Sequence, residues 1–414
     1  MVELASNMKA HLPPGLVDFL SQAGQVAHNQ GLRLYLVGGV VRDLLLEREN
    51  IDIDLVVEGN AIDLAHKLTE RKPGKITAHP RFNTAKIQWD EWSIDLATTR
   101  SETYARPGAL PVVKPSSINS DLFRRDFTIN AMAISLNPDD YGKLIDLYGG
   151  MADLKNGFLR TLHEKSFSDD ATRILRGLRY QQRLNFQFEP ATLHLLKRDI
   201  PMLDTISGDR IRHELELILK EEYPERAIRQ ARELEVLAKL HSSLEGNGWL
   251  GDKFKEAREL TYPNPPPVGL YLALLAYHLT GEEIEQMILR LKLPRSLAQT
   301  LRETFSIKSK IKSLAASRLA PSHTYYFLHG YSPLAITANS IASDSPVAHR
   351  NIRLYLNKLR YVKPVLNGDD LKSLGIPPGP RIKEILKRLH EARLDGEATS
   401  KNDEERLVMQ YGTG

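Results

Sequence analysis

The chain is predicted to be α+β: a small N-terminal head with a mixed sheet and helices, then an all-helical neck, body and tail. Three observations carry this. Runs rich in β-formers lie within about the first 150 residues, and later strand signals almost vanish. A Gly38-Gly39 pair separates the first such run from a helical stretch. Beyond it, apolar residues recur at helical spacing, with polar breaks and the connector Pro263–Val268.

The elements follow in order. Residues 1–30 read as one amphipathic lead-in helix, with Leu16, Phe19, Leu20 and Ala23 on one face. Leu32–Val37 is a strand, and a helix runs from the glycines to Leu46. Ile51–Val57 is a second strand, followed by a helix over Ala61–Leu68. Ala85–Trp89 and Trp92–Ala97 alternate as a hairpin about Asp90-Glu91. Glu102–Asn119, proline-bearing and turn-rich, is expected to be a mobile loop. Ile129–Leu136 closes the head before Tyr148-Gly149-Gly150. Helices are then expected over Asp169–Leu184, Ala191–Arg198, Asp209–Lys220 and Glu225–Leu240. The expected division is 1–30 lead-in, 31–150 head, 151–225 neck, 226–300 body and 301–414 tail.

Composition narrows the function. The 414 residues are 42% hydrophobic and 26% charged, values of a globular chain of several domains. The absence of cysteine excludes disulfides, thiol catalysis and cysteine-held zinc. The longest apolar run, Leu270–Tyr277, falls well short of the ~20 residues needed to span a bilayer. A soluble cytoplasmic protein is the expectation. A net charge of +4 permits a nucleic-acid partner without requiring one.

Four constellations carry chemistry. In Gly38-Gly39-Val40-Val41-Arg42-Asp43, paired glycines allow a phosphate to approach the backbone, and Arg42 can add a charge-assisted bond. Alone, such a turn before a helix is most often only a turn. In Asp52-Ile53-Asp54, strand alternation puts both carboxylates on one face and Ile53 in the core. Two such carboxylates repel unless a cation lies between them, and Mg2+ takes one or two carboxylates plus substrate phosphate oxygens. Asp95, flanked by Ile94 and Leu96, either approaches the same metal or caps a surface ladder. Arg124-Arg125-Asp126, followed by Asn130, offers donors for a triphosphate or ribose, or else is a solvated basic loop. Arg173, Arg176, Arg179 and Arg183 fall within an arc of about 120° on a helix, where they repel unless a polyanion lies alongside. Asp170 and Arg173, three apart, are expected to face the same side. Such a pair can read cytosine or adenine, the carboxylate accepting from the exocyclic amine and the guanidinium donating to the ring nitrogen.

These motifs resemble, in order, those of the class II tRNA nucleotidyltransferases and bacterial poly(A) polymerases of the DNA polymerase β superfamily. The resemblance rests on GGVVRD, DID, IDLATTR, RRDFTINAMA and DDATRILRGLRY, and is dense from about residue 32 to 220. It implies triphosphate contacts at Gly38, Gly39, Arg42 and Asp43, and metal-binding carboxylates at Asp52 and Asp54. It further implies nucleotide contacts at Arg125, Asp126 and Asn130, a base-selecting pair at Asp170 and Arg173, and further contacts at Arg176 and Arg179. Asp209–Leu219 resembles the family's supporting neck helix. Asp169 departs from the family, which has glutamate there.

The implied reaction is Mg2+-dependent, in-line attack of an RNA 3′-hydroxyl on the α-phosphorus, with tRNA, CTP and ATP as partners. Complete CCA addition is expected on its commonness in the family. Terminal-A addition and poly(A) synthesis are the alternatives, with a catalytically silent RNA-binding relative behind them. Addition of C-C alone is disfavoured by the long Glu102–Asn119 segment. The helices beyond 225 are expected to hold RNA. Gly368–Pro380 resembles a helix-hairpin-helix turn, although a plain connector is the commoner meaning of such glycines and prolines. None of the 13 histidines precedes an aspartate, so a phosphohydrolase marked by that pair has no support.

Overall fold

The structure, a computed structural model, describes residues 3–71, 74–89, 91–316 and 318–412. The chain divides into two compact units, Met1–Leu215 and Glu216–Gly414.

The first unit opens with two helices, α1 (Ala5–His11) and α2 (Pro14–His28), where the sequence suggests one. Pro13 and Pro14 explain the break, because proline removes an amide donor and pushes its predecessor out of the helical region. Next come β1 (Arg33–Val37), α3 (Gly39–Leu45), β2 (Ile53–Glu58), α4 (Ala61–Arg71) and β3 (Lys75–His79). The hairpin follows as β4 (Thr84–Trp89) and β5 (Trp92–Thr98), with Asp90 of its turn outside the described residues. Then come β6 (Arg100–Thr103), β7 (Val112–Pro115), α5 (Ile118–Phe123), β8 (Ala133–Ser135) and β9 (Leu144–Ile145).

Seven strands form one sheet in the order β3-β4-β5-β2-β1-β8-β9. Both faces are covered, and alternation decides what each covers. Leu34 and Leu36 of β1, with Ile53, Leu55 and Val57 of β2, face α2 through Leu16, Leu20 and Ala23. Tyr35, Val37 and Val56 point the other way, onto Ile118 and Leu122 of α5. Burying each such leucine contributes about 2 kcal/mol, so this two-sided core fixes the strand register. At Gly24 of α2 an added Cβ would lie 1.8 Å from the Leu136 carbonyl oxygen, so helix and sheet approach closely only because no side chain intervenes.

Two further expectations change. The stretch expected to be a loop contains regular structure at its ends: β6 and β7 pair as an antiparallel ribbon about residues 104–111, Arg100 opposite Pro115 and Thr103 opposite Val112. Strands also persist past residue 150. After α6 (Gly150–Asn156), β10 (Phe158–Leu159) pairs in parallel with β11 (Gln187–Phe188). Two-residue strands are too short to leave a periodic signal. Between them lie α7 (Ser166–Asp169) and α8 (Thr172–Leu184), and after them α9 (Pro190–Asp199) and α10 (Gly208–Leu219).

Beyond α10 every regular element among the described residues is helical. The first are α11 (Pro224–Glu233), α12 (Gly248–Thr261), α13 (Val268–Leu275), α14 (Gly281–Leu291), α15 (Arg295–Ser309) and α16 (Pro321–Leu328). The rest are α17 (Pro333–Ala342), α18 (Pro346–Asn357), α19 (Gly368–Ser373), α20 (Pro380–Asp395) and α21 (Lys401–Gly412). Leu371, Ile376, Ile385 and Leu389 form a small core that pins the α19–α20 turn. No helix among the described residues is long and apolar enough to cross a membrane.

Candidate functional site

Alternation along β2 buries Ile53, Leu55 and Val57 and turns Asp54 to the opposite face, with Asp52 exposed immediately before the strand. β5 runs parallel to β2, with Asp95 the register partner of Asp54. Asp54 and Asp95 therefore share one face, and Asp52 joins them in lining the same cleft. Lys86, opposite Asp95 on β4, reaches it with Nζ 3.2 Å from Oδ2. Burial, then the Asp52 carboxylate, push Asp54 up to about 6, with Asp95 adding to the rise and Arg125 opposing it. A carboxylate raised by its neighbours is short of countercharge. Among the described residues no three His, Cys, Asp or Glu side chains form a metal cage. The donor set suits a cation that takes two carboxylates and completes its shell with ligand oxygens, as Mg2+ does.

Gly38 ends β1 at φ +81°, a conformation that L side chains rarely adopt. A Cβ there would lie 3.2 Å from Asp54 Oδ2 and 3.3 Å from Arg125 Nη1, so the turn sits directly against the acidic face. Arg42, one turn into α3, is 3% exposed and spends its donors inward. Nε and Nη2 donate to the two Asp43 oxygens at 2.8 Å, and Nη1 donates to Asn130 Oδ1 at 2.8 Å. A buried guanidinium has to be paired in this way. Arg42 thus braces the site, with Asp43 behind it.

The segment after α5 is similarly cross-tied. Arg124 and Arg125 both donate to fully buried Asp121, which they hold below the usual carboxylate range against the opposing effect of burial. Asp126, also buried, accepts from Asn130 Nδ2 at 3.0 Å and from Arg176 Nε at 2.8 Å. Burial alone would raise its pKa, but Arg176 and Asn130 hold it at about 2. Arg42, Asn130, Asp126 and Arg176 form one continuous chain of hydrogen bonds.

Helix α8 starts later than expected. Asp170 lies in extended backbone, φ −141° and ψ 94°, between α7 and α8, so it and Arg173 are not helical neighbours. Asp170 Oδ1 accepts from the Thr172 backbone N–H at 3.0 Å, an Asx-type turn that opens the helix, and from Thr172 Oγ1 at 2.6 Å, and it ion-pairs with Arg210 at 2.8 Å. Arg173 donates to Ser166 Oγ at 2.7 Å and to the Arg124 carbonyl at 2.6 Å. The expected repulsion along the arginine stripe is relieved from within. Asp126 takes Arg176, and Glu214 of α10 stands 3.6 Å from Arg176 and 3.8 Å from Arg179. The Tyr180 ring lies 5.5 Å from the Arg42 guanidinium, 5.9 Å from that of Arg176 and 5.1 Å from that of Arg179. Among the described residues, Arg179 Nε and Arg210 Nη1 are buried without a hydrogen-bond partner. Gly177 lets α8 come close: a Cβ there would meet the Phe188 and Phe127 rings at 2.8 and 2.9 Å.

The three carboxylates, the glycine turn and the arginines of α8 line one cleft of about 770 Å³ in the first unit. It gathers every candidate named from sequence except Asp43. Nine arginines and six carboxylates line it, so it favours a polyanion, with the carboxylate face set aside for a cation. Sequence reading missed Arg210, Glu214, Tyr180, Glu102 and Tyr104. Arg210 and Glu214 are one helical turn apart in Asp209–Leu219, a spacing that marks a shared face but not what it faces.

Residues 34–160 match the poly A polymerase head domain, and 185–246 match the probable RNA and SrmB-binding site of polymerase A. An A-adding tRNA nucleotidyltransferase of Geobacter sulfurreducens is 36% identical over 99% of this chain. The chain spans about half (48%) of that relative's length. The A-adding tRNA nucleotidyltransferase of Halalkalibacterium halodurans is 32% identical, covering 95% of this chain and 92% of its own. The Thermotoga maritima CCA-adding enzyme, solved in complex with tRNA, superposes with a TM-score of 0.80 at 32% identity, covering 99% of this chain and 98% of that one. On the head-domain match and these relatives, the chain belongs to the family of tRNA nucleotidyltransferases and poly(A) polymerases.

Proposed function

We propose that this chain transfers nucleotides from nucleoside triphosphates to the 3′ end of tRNA without a nucleic-acid template. The observation that carries this reading is the single cleft in which a carboxylate face adjoins an arginine-lined wall. Asp52 and Asp54 hold Mg2+, and Asp95 completes the acidic face. When bound, Mg2+ supplies Lewis-acid neutralisation of the reacting phosphoryl group. The Gly38-Gly39 turn and Arg125 adjoin the triphosphate, while Arg176 and Arg179 offer further positive charge. Arg42, Asp43, Asn130 and Asp126 keep these groups in place through the hydrogen-bond chain. Asp170 accepts from the exocyclic amine of cytosine or adenine and Arg173 donates to the adjacent ring nitrogen, each exchanging part of its present contacts. Uracil and guanine present the opposite donor pattern and are rejected. The helices beyond residue 225 hold the tRNA through backbone contacts.

Within this class two readings differ in product. Addition of the terminal A alone is favoured by the Geobacter and Halalkalibacterium relatives, both A-adding. Completion of the whole CCA is favoured by commonness in the family and by the likeness to the Thermotoga CCA-adding enzyme. Asp52→Ala tests the shared chemistry: nucleotide transfer is abolished while tRNA binding is kept. Wild-type turnover in that variant would refute the metal assignment. Arg173→Ala is expected to blur selection among the four triphosphates more than it weakens tRNA binding. Unchanged nucleotide choice would remove the base-reading role.

A further inference from the structure

A second cleft, of about 700 Å³, lies in the first unit and shares Glu102, Tyr104, Arg124 and Arg173 with the first. Its aromatic side has a simple origin in α5. Leu122 is fully buried beneath the sheet, and the next residue, about 100° further round, is Phe123, which is 45% exposed. A single exposed phenylalanine would mean little. Here the Phe123 ring lies 5.1 Å from His163 and 5.7 Å from Tyr148, and all three line the cleft. Burial and the Arg173 guanidinium hold the His163 imidazole below its usual pKa, so that edge of the ring cluster is uncharged near neutrality.

We propose that this cleft is a stacking site, centred on Phe123, for one nucleobase of the single-stranded RNA whose 3′ end enters the carboxylate cleft. The inference rests on the reading above and extends it to the RNA strand. Charge selects the occupant. Lys165, Arg124 and Arg173 are balanced by Glu102, Glu164 and Asp169, so the cleft has no excess charge for a free triphosphate. One base with a single phosphodiester suits it, because every base has a π-face and stacking tolerates any sequence. The shared wall lets a strand with its end at Asp54 enter the second cleft directly.

The test uses the full chain with Phe123→Leu, which keeps an apolar side chain without a ring, and Phe123→Trp, which restores one. Two quantities are measured for each: the Kd, in EDTA, of a tRNA transcript ending in C-C with 2-aminopurine at its penultimate base, and the KM values for tRNA and ATP. Phe123→Leu is expected to weaken the Kd and raise the tRNA KM about tenfold, leaving the ATP KM unchanged, with Phe123→Trp near wild type. A rise in the ATP KM alone would assign the cleft to free nucleotide and overturn the proposal, as would an unchanged Kd. Because the Kd is read without turnover, a wild-type chain that adds no nucleotide refutes the transfer reading while the Kd comparison still decides the stacking site.

Discussion

Asp54 of β2 and Asp95 of β5 are register partners across the one parallel strand pair of the seven-stranded sheet among the described residues. The pairing explains why two carboxylates far apart in sequence meet on one face, where Asp95 adds a little to the rise that burial and Asp52 produce at Asp54. Lys86 serves Asp95 and Arg125 approaches Asp54, but burial and the Asp52 carboxylate still hold Asp54 up to about 6.

Without metal, the contribution of Asp54 to stability is expected to fall with rising pH. Asp54 is raised from 3.8 to about 6, so its contribution is fully present below about 3.8 and is lost as pH rises through about 6. The loss is of the order of 2–3 kcal/mol, because each tenfold change in proton affinity is worth about 1.4 kcal/mol. Asp54→Asn removes the charge. Urea denaturation at pH 7 in EDTA should find the variant more stable than wild type by about 1–3 kcal/mol, although it has lost transfer activity.

Metal and proton should compete for the same carboxylate. Transfer activity is expected to rise with pH through a midpoint near 6 at low Mg2+, and the midpoint should move down as Mg2+ increases. A pH–rate series at two Mg2+ concentrations checks this. A midpoint that stays fixed would separate Asp54 from the metal.

Arg176→Met should destabilise the first unit by about 2–4 kcal/mol at pH 7, because it strands the buried Asp126 carboxylate. Asp126 is depressed to about 2, so its contribution is present above about 3.8 and is lost as pH falls through about 2. The gap between variant and wild type should therefore close below about pH 3, which denaturation curves at several pH values would show.

Gly177→Ala tests how α8 is placed. The added methyl meets two phenylalanine rings inside 3 Å, so the helix must shift and carry Arg173, Arg176 and Arg179 with it. The expected result is a stability loss of about 1–3 kcal/mol with a fall in nucleotide affinity. Isothermal titration with ATP, alongside thermal unfolding, separates the two effects.

Much of the head was legible because its signals are local. Strand alternation set Ile53 inward and Asp54 on the other face, and the order of motifs pointed to the family the comparisons then showed. What sequence concealed was tertiary. Residues 169–184 read as one helix because nothing local announces that Asp170 will accept from Thr172 and break it. The arginine stripe read as exposed charge because its partners, Asp126 and Glu214, arrive from other segments. The Glu102–Asn119 ribbon looked like a loop because Gly108 and three prolines dominate its composition, although Arg100–Thr103 and Val112–Pro115 pair.

The most direct measurement is a primer-extension gel with Mg2+, ATP and CTP on two tRNA transcripts, one ending at the discriminator base and one already carrying C-C. The account predicts that wild type extends at least the C-C transcript by a single A and that Asp52→Ala extends neither. Extension of both transcripts to CCA identifies the complete reaction, and extension of the C-C transcript alone identifies terminal-A addition. A wild-type chain that binds both transcripts and extends neither would contradict the assignment of nucleotide transfer to the Asp52–Asp54 face.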